Sequence, residues 1–180
     1  MKLSFALRQY EQYDRTGNER DLALRLLDNT LQFFEDGRFR TAPGELTTYV
    51  HAHCYAVEGL LCMRDWKLAD ETSVLQASAA WLEDIQRVHG GIPAWHDGRQ
   101  ATGASHTDAT AQAIRIWSSI DGDRWATPIA RARRWIRQNT ALDGGVWYSP
   151  VRQDQNTWAS IFTAQAIHFA ETAGNPAQIV

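Results

Sequence analysis

The sequence predicts an all-α protein built from repeated helical hairpins, and three observations carry this prediction. Glycine-containing turns at Asp36-Gly37, Gly90-Gly91 and Gly144-Gly145 follow one another at intervals of 54 residues. An amphipathic helical stretch precedes each turn, and a more apolar helical stretch follows each loop. No stretch alternates polar and apolar residues over a sustained length, so we expect strands only as short pairings within loops. A repeat of this length is typical of stacked copies of one supersecondary unit.

Local signals place the individual helices. The apolar pattern predicts helices over residues 1–15, 22–34, 49–63, 75–88, 109–120, 128–138 and 159–170. The glycine turns end the amphipathic helices, and Pro128 suits the first turn of the helix that it begins. The stretch 49–63 is apolar almost all round, which is typical of a buried helix. Gly174-Asn175-Pro176 is expected to break the chain near its end.

Length and composition favour one globular domain over residues 1–180. Apolar residues make up 44% and charged residues 22% of the 180, and the formal net charge is −3. This balance predicts neither a nucleic-acid partner nor attraction to an anionic membrane. No apolar run approaches the roughly 18 residues that a membrane span needs. Cys54 and Cys62 are the only cysteines, so we expect a cytoplasmic protein with reduced thiols.

Two segments resemble known toroids. Trp81-Leu82 followed by Gln86 and the run 90–95 is similar to a repeat of squalene-cyclase and prenyltransferase toroids, and the run 131–138 with Gly145-Val146-Trp147 is closer still. The order of helix, Asp-Gly-Gly, loop and helix is similar to that in six-hairpin glycosidases and sugar 2-epimerases. The resemblance covers nearly the whole chain and implies an α/α toroid without resolving one family.

The number of hairpins implies a partial toroid. The chain holds about three and a half hairpins, whereas a closed ring of the families it resembles would need roughly twice as many. We therefore expect a fragment or short form of a larger toroid, in which a homodimer or a partner chain covers the open edges.

The candidate site lies where the inner helices begin. In this topology the loops after the outer helices meet the N-termini of the inner helices, and such N-termini attract anionic groups. The candidate catalytic residues are His53, His106, Asp108 and Glu58. The candidate substrate-binding residues are His51, Trp95, His96, Arg99, Trp147, Tyr148, Arg152, Asn156 and Trp158.

Sugar chemistry is the leading functional hypothesis, because aromatic faces stack on sugar rings and His–carboxylate pairs move protons. A hydrolase would pair Asp108 with Glu45, Asp97 or Asp154 across the bond, whereas an epimerase would use His53 and His106. We predict a carbohydrate-active protein that hydrolyses or epimerises a sugar or uronate. The alternatives are a non-catalytic helical-repeat domain that binds a partner or forms part of a larger enzyme, and a relative of terpenoid cyclases and prenyltransferases.

Several of these residues also have a structural interpretation. Ser105 with Asp108 resembles a capping box, and Asn156 is a good N-cap. Glu58, Gln112 and Gln165 share one repeat position, which favours hydrogen bonds to the backbone of a neighbouring loop. His51, His53, Cys54, His106 and Asp108 include the ligand types of zinc. Their spacing does not match the zinc motif of protein prenyltransferases, so we expect no cofactor and keep zinc as the alternative.

Overall fold

The computed structural model describes residues 6, 7, 10, 18–64 and 71–172. Within these ranges lie six long helices: α1 (Asn18–Leu31), α2 (Val50–Leu61), α3 (Glu71–Asp84), α4 (Thr107–Asp121), α5 (Ala126–Gln138) and α6 (Thr157–Thr172). All six agree with predicted helices. Most of the helix expected at the start of the chain and the break at Gly174-Asn175-Pro176 lie outside the described residues.

The strands are short and belong to the loops, as the sequence predicts. They are β1 (Phe34–Glu35), β2 (Arg38–Phe39), β3 (Thr48–Tyr49), β4 (Pro93–His96), β5 (Ala101–Ser105), β6 (Trp147–Ser149) and β7 (Arg152–Gln155). Strands β1 and β2 form one antiparallel pair, β6 and β7 form another, and β3, β4 and β5 form a three-stranded sheet. Strands β1 to β3 lie between α1 and α2, β4 and β5 between α3 and α4, and β6 and β7 between α5 and α6, so the three-stranded sheet joins two loops.

Helix α4 forms the centre of the inner layer. It packs against α2, α3, α5 and α6, and every residue from Thr107 to Trp117 is buried. The indole Nε1 of Trp117 donates a hydrogen bond to the Ala79 carbonyl at 3.0 Å, which satisfies the polar atom of this fully buried ring. The apolar helices α2, α4 and α6 thus form an inner layer, and α1, α3 and α5 form an outer layer.

The glycine turns explain the 54-residue period. Asp36, Gly90 and Gly144 occupy the same repeat position, and their φ angles are 50°, 99° and 87°. A Cβ atom at Gly90 would lie 2.2 Å from the carbonyl oxygen of Arg131 in the following outer helix. Glycine is required there because both the positive φ and the close backbone approach exclude a side chain.

Helix α6 is less buried than the other inner helices, α2 and α4. Its buried face includes Phe162 and Phe169, but Trp158, Ile161 and Ile167 are exposed. In the described part of the chain no further hairpin packs against that second face. An apolar groove of about 620 Å³ runs beside it, lined by Ile114, Ile136, Val146, Thr163, Ala164 and Ile167 among others. None of the described helices is both long and apolar enough to cross a bilayer.

The polar residues that share one repeat position meet in a buried network. Glu58 forms an ion pair with Arg115, accepts a 3.0 Å hydrogen bond from Gln112, and is completely buried. Arg115 also donates to the side chain of Gln165. These groups bond to one another, rather than to loop backbone as the sequence suggested. The signal for Arg115 was its position one helical turn after Gln112, which puts both on the same face of α4.

Candidate functional site

The loops of successive repeats join at the N-termini of the inner helices. In the ladder between β3 and β4, Thr48 pairs with His96 and Tyr49 pairs with Trp95. The hydroxyl of Thr107, at the start of α4, donates a 2.6 Å hydrogen bond to the Trp147 carbonyl in β6. These bonds hold the first turns of α2 and α4 in fixed positions relative to the strands, so side chains from different repeats can share one site.

A histidine and a carboxylate meet at this end of the inner layer. The Nδ1 atom of His51 lies 3.4 Å from the Oδ2 atom of Asp108, with side-chain exposures of 17% and 7%. The other carboxylate oxygen of Asp108 accepts a 2.7 Å hydrogen bond from the Ala109 N–H. Aromatic rings surround the imidazole: its centroid lies 4.4 Å from that of Tyr55 and 5.9 Å from that of Phe162. The pair is therefore shielded from bulk water but still accessible to it.

Further aromatic and basic groups extend this site. The ring centroids of Tyr49 and Trp95 lie 4.6 Å apart, with Trp95 42% exposed, and those of His106 and Tyr148 lie 4.5 Å apart. The guanidinium of Arg152 lies 5.5 Å from the Tyr148 ring centroid. We call Tyr49, His51, His106, Asp108 and Tyr148 the acid–base cluster.

Burial favours the neutral forms of His106 and Tyr148. It lowers the pKa of His106, and the charge of Arg152 adds to this effect while Asp108 opposes it. Burial also raises the pKa of Tyr148, with further contributions from the charge of Asp108 and from a side-chain hydrogen bond with Tyr49. At neutral pH His106 is thus an uncharged imidazole and Tyr148 an uncharged phenol, which suits hydrogen bonding to a polar ligand.

The structure brings several predicted residues together. His51, Trp95, His106, Asp108, Tyr148 and Arg152 lie in or beside the acid–base cluster. Trp158 borders it through Phe162, whose ring lies 6.1 Å from Trp158 and 5.9 Å from His51. Tyr49, Tyr55 and Phe162 were not predicted. Tyr49 and Tyr55 flank His51 in the chain, and the signal for Tyr55 was its position one helical turn after His51.

The expectation that His53 shares this site is corrected. Residues two apart on a helix point to different faces, and His53 packs edge-on against Trp81 with 4.8 Å between the ring centroids. Its Nδ1 accepts a 3.1 Å hydrogen bond from the Phe39 N–H. Burial, aided by the charge of Arg38, lowers the pKa of His53 to about 3. Glu58 lies deeper in the inner layer, completely buried in the network with Arg115.

The remaining candidates have local partners. His96 points to the same side as His53, with its ring 5.6 Å from Trp81. Asn156 caps α6, because its Oδ1 accepts a 3.0 Å hydrogen bond from the Ala159 N–H. The backbone N–H of Arg99 donates to Asp97 in a tight turn, and the Trp147 carbonyl accepts from Thr107. The expected capping box at Ser105 does not form, since α4 begins after His106 without a side-chain cap.

The described residues contain no group of three or more His, Cys, Asp or Glu side chains arranged to hold a metal ion. Cys54 and Cys62 are free and buried, and burial raises the pKa of the Cys54 thiol. Both cysteines therefore behave as small apolar side chains of the core.

Comparison with known proteins identifies the architecture. No family model and no curated sequence matches the chain. It is similar in structure to a family 88 glycosyl hydrolase from Bacteroides vulgatus, with a TM-score of 0.72 and 11% identity over 94% of this chain and 60% of that one. A polysaccharide lyase gives a TM-score of 0.71 and 10% identity over 94% of this chain and 59% of the other.

The unsaturated glucuronyl hydrolase of Bacillus sp. GL1 also matches, with a TM-score of 0.67 and 15% identity over 98% of this chain and 58% of that one. This chain thus spans about 60% of the length of the structures that it matches. At these identities the likeness establishes the fold alone. The chain has the α/α-toroid fold of six-hairpin glycosidases.

Proposed function

We propose that this chain is a carbohydrate-active protein that binds a sugar or uronate at the acid–base cluster. The observation that carries the proposal is the contact of His51 with Asp108, 3.4 Å apart, among aromatic side chains where the inner helices begin. The exposed faces of Trp95 and Trp158 offer stacking surfaces for sugar rings. The helix N-termini and Arg152 favour the carboxylate of a uronate.

The arrangement supports proton transfer from one side of the sugar. The carboxyls expected to face Asp108 have other partners: Glu45 accepts from Thr47, Asp97 accepts from its own turn, and Asp154 pairs with Arg152. A mechanism with two facing carboxyls therefore has less support among the described residues. A single acid suffices for an unsaturated uronate, because its double bond next to the ring oxygen accepts a proton on carbon before water adds.

We assign the proton transfer to Asp108, whose carboxyl gives a proton to the sugar carbon and takes one back from the water that adds. His51 lies 3.4 Å from this carboxyl, and Tyr148 and His106 are neutral groups that orient the substrate. General acid–base catalysis of this kind contributes about 10²–10⁴-fold to a rate. The solved structures with the same fold include an unsaturated glucuronyl hydrolase and a polysaccharide lyase, which makes an unsaturated uronyl oligosaccharide the first substrate to test. The terpenoid alternative gains no support from these likenesses.

The test measures turnover of an unsaturated glucuronyl disaccharide through the loss of the ultraviolet absorbance of its double bond. We expect the protein to consume the disaccharide and Asp108→Asn to be slower by about 10²–10⁴-fold. Asp97→Asn is the matched control, because this exposed carboxylate only accepts hydrogen bonds within its turn, and it should keep the normal rate. Equal rates for Asp108→Asn and the unmodified protein would overturn the assignment.

A non-catalytic helical-repeat domain remains the second candidate. It is favoured by the exposed apolar face of α6 and by the 58–60% coverage of the matched structures, both of which fit a domain that works with further hairpins. Saturable binding of the disaccharide without any turnover would favour this second function.

A further inference from the structure

We propose that Arg38, Thr48, His53 and His96 form a second site, which binds a compact oxyanion such as phosphate or sulfate. We call these four residues the donor cluster. It lies on the opposite face of the β3–β4 pair from the acid–base cluster, and the proposal does not depend on the sugar-binding function.

The strand register separates the two clusters. Side chains alternate between the faces of a strand, and directly paired residues share a face. The pair Tyr49–Trp95 faces the acid–base cluster, so the adjacent pair Thr48–His96 faces the other side. There His96 and His53 both contact the ring of Trp81, at 5.6 Å and 4.8 Å between centroids.

Hydrogen bonds to the backbone set the protonation of His53 and His96, so that both rings donate through Nε2–H. The Nδ1 atom of His53 accepts a hydrogen bond from Phe39 N–H, and the Nδ1 atom of His96 accepts one from Gly98 N–H, each at 3.1 Å. A neutral imidazole that accepts at Nδ1 carries its proton on Nε2. Both rings therefore present an Nε2–H donor, and His53 does so while only 1% exposed.

Arg38 supplies the charge. It is 5% exposed and directly precedes Phe39, whose N–H donates to the His53 ring, so Arg38 lies beside that histidine. Its positive charge lowers the pKa of both His53 and His96. The carboxylate beside it, that of Asp36, is 3.8 Å away and 80% exposed, which is too far for a hydrogen bond. The charge of Asp97 also reaches His96 and acts in the opposite direction.

The buried donors lack acceptors among the described residues. Arg38 Nε, His53 Nε2 and Thr48 Oγ1 are all buried without a hydrogen-bond partner there. Leaving such groups unsatisfied costs free energy, most of all for a buried charge. A guanidinium, two Nε2–H groups and a hydroxyl together match a small anion with several acceptor oxygens.

The experiment is a titration of the full chain with inorganic phosphate and then with sulfate at constant ionic strength, with chloride as the reference salt. Nitrogen-edited NMR of the histidine side chains reports on the Nε2–H groups, and a thermal-shift assay reports on binding to the folded state. We expect saturable shifts of the His53 and His96 Nε2–H signals and a saturable rise in Tm.

Arg38→Gln should weaken the apparent affinity for phosphate at least tenfold. Arg99→Gln removes an exposed arginine from the turn after His96 and should leave the affinity unchanged. If Arg38→Gln does not fold, the site is tested by whether the His53 and His96 Nε2–H signals of the unmodified protein shift with phosphate. Histidine signals that stay constant while Tm rises, or unchanged affinity in Arg38→Gln, would show an adventitious ion only and overturn the site.

Discussion

The acid–base cluster and the donor cluster lie back to back and are built from neighbouring residues, yet their chemistry is opposite. His51 meets a carboxylate, has 17% side-chain exposure and lies among tyrosines. His53, two residues later, is buried beside an arginine and accepts a backbone hydrogen bond. We propose that one cluster exchanges a proton with a ligand and that the other only donates hydrogen bonds. The exposure and the partner of a histidine, rather than its place in the sequence, thus decide its role.

Loss of the buried Glu58–Arg115 pair should have the largest effect on stability. Arg115→Met leaves the Glu58 carboxylate buried without its cation, so we expect the free energy of unfolding to fall by about 3–5 kcal/mol. Urea denaturation measures this change. Arg133→Met is the control, since Arg133 and Glu171 form a partly exposed pair that contributes about 0–1 kcal/mol. Equal losses in both variants would mean that burial of the pair does not matter.

Exchanging one histidine at a time tests the separation of the clusters. His51→Gln removes the partner of Asp108, so we expect turnover of the unsaturated disaccharide to fall about 10²-fold or more, with little change in stability. His53→Gln should keep turnover near normal, because its ring lies on the other face of α2. The opposite outcome, in which only His53→Gln loses activity, would reverse the roles of the two clusters.

The pH dependence of stability should test the burial of His53. The folded-state pKa of His53 is about 3, below its ordinary value of 6.5. The unfolded chain therefore binds more protons between these values, and stability falls as the pH falls from about 6.5 toward 3. We expect His53 to contribute about 1.4 kcal/mol per pH unit inside this window. The measurement is urea denaturation of the unmodified protein and of His53→Gln at several pH values in phosphate-free buffer. The free energy of unfolding of the unmodified protein should fall more steeply with falling pH than that of His53→Gln.

Trp158 should show the smallest effect. It is 64% exposed beside Phe162, so Trp158→Ala should not change stability measurably. Loss of one stacking face is worth about 0.5–1.5 kcal/mol, or roughly two- to twelvefold in the dissociation constant of the sugar. Isothermal titration with Trp158→Phe as the control measures this. A loss of stability with unchanged affinity would make Trp158 a packing residue.

Much of the architecture follows from the sequence alone. The apolar pattern and the period of the glycine turns predicted the six described helices and their two layers. The period is kept at Gly90 because the positive φ and the close approach of the Arg131 backbone exclude a side chain there. The convergence of His106, Asp108, Tyr148 and Trp95 was also predicted, since the topology brings the loops to the N-termini of the inner helices. These features depend on local signals and on chain connectivity.

The composition of each cluster could not be predicted in the same way. His51 and His53, or Trp95 and His96, are close in sequence and point to opposite sides, so grouping by sequence mixed two sites. The register of β3 with β4 determines which side chains of these strands share a face. That register depends on tertiary structure and cannot be read from the sequence of either strand alone. Arg115 was missed because the charge of a residue does not reveal that three helices surround it.

A crystal structure of the Asp108→Asn variant with the unsaturated disaccharide would test the central claim most directly. We expect a uronate ring against Trp95 and Tyr148, with a polar or reacting atom within hydrogen-bonding distance of residue 108 and of His51. A disaccharide bound instead in the apolar groove between Ile136 and Ile167, with the acid–base cluster unoccupied, would contradict it.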